Sequence, residues 1–123
     1  MPDFTFLLLY VRDHIASAAF YRDMLGLPIV EQKADVAILP LREGVMLGLW
    51  LQETVEPAST GQPGGSEIAF AVADAAAVEA THADWSRRGI AILQAPTLMR
   101  FGMTFVARDP DGHRLRVFAP PAA

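Results

Sequence analysis

The run ARDPDGHRLRVF at 107–118 places two arginines and a phenylalanine at alternate positions. In a strand, Arg114, Arg116 and Phe118 share one face, while His113, Leu115 and Val117 share the other. A guanidinium is permanently charged and offers donors only. Two of them beside a ring make either an ordinary solvated surface or the lining of a pocket. The rest of the chain narrows the chemistry. Its three histidines, His14, His82 and His113, form no pair at ligand spacing, and it contains no cysteine. Disulfides, thiolate catalysis and zinc-thiolate sites are therefore excluded.

The elements that must position these residues follow from period and punctuation. The 123 residues suffice for one domain with a substantial core, and a composition that is 52% apolar and 20% charged fits a compact fold. A net charge of −4 argues against nucleic-acid and anionic-membrane binding. The apolar FTFLLLYV stretch is too short to cross a bilayer and lacks the flanks of a signal peptide, so the expected location is the cytoplasm.

Residues 4–11 read as a strand, followed by a helix that Asp13 caps and Gly26 ends, with Phe20 and Met24 on one face. Short strands are expected near 28–32, 35–40 and 45–51. Beyond the Pro/Gly/Ser-rich linker at 54–65 the order returns. EIAFAVA is a strand, and a helix runs from the Asp74 cap through about Arg88, with Gly89 as its stop. Strands follow near 90–93, 101–107 and 113–118. One βαβββ plan is used twice, module 1 at 1–53 and module 2 at 66–123, with the linker between them. The DPDG at 109–112 is a hairpin turn in which Gly112 takes the positive φ.

LYVRDHIASAAFYRDMLGL, the duplicated unit and DPDGHRLRVF together resemble the vicinal oxygen chelate superfamily, with its glyoxalase and bleomycin-resistance fold. The resemblance covers essentially the whole chain. It implies an α+β fold of two cupped mixed sheets, with modules that face each other across a cavity, often in a homodimer. In the enzymes of the superfamily, a divalent metal is held by His, Gln or Glu from four strands. The matching positions here are Phe6, Gly48, Glu67 and Arg116. Of these only Glu67 can ligate a metal, and Arg116 brings a positive charge that repels one. The resemblance with these substitutions implies no metal and no other cofactor.

Strand alternation under that resemblance puts Phe6, Leu8 and Tyr10 on the cup face, with Met46, Gly48 and Trp50 beside them. Glu67, Ala69 and Ala71 follow in the second module, with Arg116 and Phe118. Gly48 leaves a flat gap beside the Trp50 indole, suited to a planar ligand whose polar edge reaches Arg116. Met103, a flexible side chain, joins the expected ligand-binding set of Phe6, Tyr10, Met46, Gly48, Trp50, Glu67, Arg116 and Phe118. No catalytic residue is assigned.

VAILPLREGVMLGLW, GSEIAFAVAD and RFGMTFVARDPDGHRLRV resemble the phenazine-antibiotic resistance branch, whose members sequester griseoluteic acid-type compounds. That likeness implies a non-catalytic binder with Trp50 as the stacking platform. The alternatives stay open: Trp50 as a core residue, Glu67 and Arg116 as an internal ion pair, and an enzyme, either a metal-dependent glyoxalase-type lyase or dioxygenase or a metal-free isomerase with Glu67 as base. Trp85 is expected to serve packing or a dimer contact.

Overall fold

The computed structural model describes residues 1–121. The chain divides into two compact units, 1–61 and 62 onward, each built from one βαβββ segment. In the first, β1 (Phe6–Val11) leads through α1 (His14–Leu25) to β2 (Glu31–Gln32), β3 (Val36–Arg42) and β4 (Val45–Leu51). The sheet order is β1-β4-β3-β2, with β1 parallel to β4 and the other pairs antiparallel. The second unit repeats the plan with β5 (Glu67–Ala71), α2 (Ala75–Arg87), β6 (Ile92–Met99), β7 (Gly102–Arg108) and β8 (Arg114–Ala119). Its order is β5-β8-β7-β6, again with the first and last strands parallel. The α+β fold of two mixed sheets is therefore as the sequence implies. No helix among the described residues is long and apolar enough to cross a membrane.

The helix boundaries are set chemically. Asp13 accepts from the backbone N–H groups of Ile15 and Ala16 at 3.1 and 3.0 Å, satisfying donors that the first turn leaves unpaired. Gly26, at φ 69°, closes α1 by donating to the Arg22 carbonyl at 2.8 Å. Asp74 caps α2 through the N–H of Ala77 at 2.8 Å. The buried stripe of α1 runs His14, Ser17, Ala18, Tyr21 and Met24. Tyr21 rather than Phe20 thus fills the core with Met24. Phe20 sits at the flank, edge-on to Tyr21 with ring centroids 5.2 Å apart.

In both sheets the pleat sorts side chains between two faces, although on β7 the residues from Thr104 to Ala107 are buried on both. Leu9, Val11, Leu47 and Leu49 are buried beneath α1, with Ala37 and Leu39 from β3. Leu115, Val117 and Phe105 form the matching layer beneath α2, where Trp85 meets Phe105 at a 5.4 Å centroid distance. Trp85 is only 5% exposed, which makes it a core residue of this unit. His14 is likewise structural, its Nε2 donating to the Lys33 carbonyl at 2.8 Å. β6 extends to Met99, well past the short strand expected near 90–93. Its Pro96 is tolerated because β6 is an edge strand, where a missing N–H breaks no ladder.

The β7–β8 turn is organised by Asp109, which is 1% exposed. One carboxylate oxygen accepts from the N–H groups of Asp111, Gly112 and His113 at 3.0, 2.9 and 2.8 Å. Gly112 takes φ 105°, as the DPDG turn requires. At the far end of β7, Gly102 lies so close to the neighbouring strand that a Cβ there would stand 1.9 Å from the Ala119 carbonyl oxygen.

Asp109→Ala leaves the N–H groups of Asp111 and His113 without this acceptor, while Gly112 keeps its 3.1 Å bond to the residue 109 carbonyl, and is expected to cost about 2–3 kcal/mol. Asp109→Asn keeps an acceptor oxygen and should lose less than half as much. Urea unfolding of the two variants measures the difference, and equal losses would remove the turn as the cause.

Candidate functional site

Opposite its helix, each sheet presents a second face, and the two faces differ in chemistry. On the first, β1 and β4 run in register, with Phe6 opposite Met46, Leu8 opposite Gly48 and Tyr10 opposite Trp50. All six therefore leave the sheet on the same side. Phe6 and Leu8 are 41% and 46% exposed, a large apolar area to leave in water. Tyr10 and Trp50 meet edge to face, with centroids 6.0 Å apart and planes at 84°.

The flat gap expected over Gly48 is filled. A Cβ on Gly48 would lie 2.6 Å from Leu8 Cδ2 and 3.5 Å from Phe6 Cδ1. The absence of a side chain at Gly48 therefore makes room for Leu8 and Phe6 to fold across the strand. Leu8 belongs to this face as much as Phe6 does.

The second face is polar at its centre. Arg116 Nε donates to Glu67 Oε1 at 2.5 Å and its second terminal nitrogen to Oε2 at 3.3 Å, a forked pair. The other terminal nitrogen donates to Thr104 Oγ1 at 3.2 Å, and that hydroxyl in turn donates to the Val117 carbonyl at 2.9 Å. The guanidinium also lies over the Phe101 ring, 5.4 Å from its centroid. Phe101 meets Phe118 edge to face at 6.2 Å. Glu67, Ala69, Phe101, Arg116 and Phe118 line a shallow pocket of about 320 Å³. Glu67 and Arg116 thus form an ion pair at the edge of this pocket.

Of the residues expected to bind ligand, the first unit groups Phe6, Tyr10, Met46, Gly48 and Trp50 on one face. The second groups Glu67, Arg116 and Phe118. Met103 does not join them. It pairs with Ala119 and shares its side of β7 with Phe105, which packs on Trp85 and His82 of α2. Parity decides this, because Ala119 alternates with the inward-facing Val117 and Leu115. The same parity, followed from Phe118 across to β7, leads to Thr104, which motif reasoning missed. Phe101 had no such signal, since it lies in the β6–β7 turn and reaches Arg116 by folding back over the sheet.

The superfamily's metal does not fit these residues. Phe6 and Gly48 have no donor atoms, and both oxygens of Glu67 already receive N–H groups from Arg116. Among the described residues no group of three or more His, Cys, Asp or Glu could hold a metal ion.

Because Arg116 and Glu67 are both partly shielded from water, their pairing should register in stability. A double-mutant cycle with Glu67→Gln and Arg116→Met is expected to give a coupling of about 1–2 kcal/mol by urea unfolding. Additive losses would mean that the pair is fully screened.

The comparisons with known proteins agree with the duplicated fold. Residues 4–117 match the model of the glyoxalase/bleomycin resistance protein/dioxygenase superfamily. A protein of Agrobacterium tumefaciens solved by solution NMR is 44% identical, with a TM-score of 0.89 over 99% of this chain and 100% of that one. A glyoxalase-related enzyme from Fulvimarina pelagi shares the fold at 23% identity and a TM-score of 0.84, over 98% of this chain and 90% of that one. A glyoxalase/bleomycin resistance protein/dioxygenase from Nocardioides does so at 24% identity and a TM-score of 0.83, over 100% and 89%. No curated protein matches. With the family model spanning nearly its whole length, the chain belongs to the glyoxalase/bleomycin resistance protein/dioxygenase superfamily.

Proposed function

We propose that this chain is a non-catalytic binder that sequesters a planar aromatic small molecule of the phenazine type and so confers resistance to it. It works as a homodimer in the cytoplasm. The observation that carries the reading is the face formed by β1 and β4, on which Phe6 and Leu8 stay exposed beside Trp50 and Tyr10. An apolar, aromatic surface of this kind gains free energy by covering itself with a flat ring. The resemblance to phenazine-resistance proteins supports the same ligand class.

The enzymatic alternative asks more of the residues present. A metal-free isomerase would use Glu67 as its base, yet both oxygens of that carboxylate point at the Arg116 guanidinium. Both oxygens already serve as hydrogen-bond acceptors, so a substrate would have to displace the guanidinium to reach them.

Tryptophan fluorescence tests the proposal directly. Phenazine-1-carboxylate should quench wild-type emission saturably, to the same extent with and without a chelator. Trp85, enclosed by the core of the second unit, contributes a constant background. Trp50→Ala should weaken binding at least about tenfold, or 1.4 kcal/mol, measured by calorimetry because the reporter is lost. Unchanged affinity in Trp50→Ala, or turnover of a glutathione hemithioacetal, would overturn the reading.

A further inference from the structure

The open face of the second sheet carries more positive charge than its own residues neutralise. Arg108 on β7 and Arg114 on β8 are directly opposed, so both side chains leave the sheet on the same side. Like charges so placed repel, and an antiparallel pair ordinarily avoids them. Arg114 is exposed, and its guanidinium makes no hydrogen bond or ion pair among the described residues. Glu67 lies beside it on β5 but turns both oxygens to Arg116. Strand positions on this face thus hold three arginines against one carboxylate, in a chain whose net charge is −4.

We propose that Arg108 and Arg114 form an anion site that takes the carboxylate or phosphate group of a small organic acid. Opposed residues on adjacent strands place their Cβ atoms about 4.5–5.5 Å apart, near enough for two guanidinium forks to converge on one oxyanion. Arg108 is partly steadied, because one terminal nitrogen donates to the Asp109 carbonyl at 3.3 Å. That bond occupies one of its five N–H donors and leaves the others for a ligand. A bound oxyanion converts the repulsion between the two arginines into shared attraction. Arg116 is a poorer candidate, since Glu67 and Thr104 already take three of its donors. The site uses no residue of the first unit, so it holds or fails apart from the aromatic reading.

The test follows the arginine Nε–Hε signals by NMR at constant ionic strength, adding inorganic phosphate to one sample and benzoate to another. The Arg108 and Arg114 signals should shift together and saturate, while that of exposed Arg42 drifts without saturating. Arg114→Gln, which removes a guanidinium that makes no hydrogen bond or ion pair among the described residues, should weaken the response at least about tenfold without lowering the melting temperature. Saturation by phosphate alone assigns a phosphate ester, by benzoate alone a carboxylic acid, and by both the oxyanion chemistry they share. If neither saturates, or if Arg42 responds equally, the site does not exist.

Discussion

Everything in this molecule depends on pairing the first and last strands of each unit in parallel. A parallel pair cannot be joined by a tight turn, so the chain must cross over before it returns. In both units the crossover begins with a capped helix, which covers one face of the sheet. Strand alternation then divides every side chain between a covered face and a bare one. Apolar residues under the helices satisfy the hydrophobic effect. The residues on the other side remain free to differ, and the two units have used that freedom differently: aromatic and aliphatic side chains on β1 and β4, arginines on β8 and the end of β7.

Much of this was legible in the sequence because its signals are local. Asp13 and Gly26 bracket a helix by hydrogen bonds a few residues long, and so does Asp74 for α2. Alternation put Leu9 and Val11 inside, Phe6 and Tyr10 outside. The failures came where a non-local contact decides. The Gly48 gap was expected from one strand alone, but its occupant, Leu8, belongs to the neighbouring strand. Phe101 sits in a turn, where periodicity says nothing about direction. Met103 is a different case. The register that sets it on the helix side is implicit in the alternation of β8, and parity outweighs the flexibility that suits methionine to a pocket.

The Glu67–Arg116 pair shows how a site can change character within an unchanged fold. A carboxylate on the first strand of a unit and a side chain on its last strand remain adjacent because the parallel pairing keeps them so. With an arginine as the neighbour, the carboxylate's charge is answered inside the protein. Thr104 and the Phe101 ring complete the setting on the remaining sides of the guanidinium. A ligand reaching this pocket meets the edge of an ion pair and two rings, a surface suited to shape and dispersion more than to bond-making.

Strand β7 is held at both ends by contacts with no slack. At one end the Gly102 backbone lies against the Ala119 carbonyl at a distance that excludes any side chain. At the other, Asp109 gathers three successive backbone N–H groups into a turn of fixed length. A strand pinned in this way works as a ruler. It measures off which residue of β7 stands across from which residue of β8, and a one-residue error would turn Arg114, Arg116 and Phe118 inward beneath the helix. The two clamps thereby determine which side chains are available to bind at all.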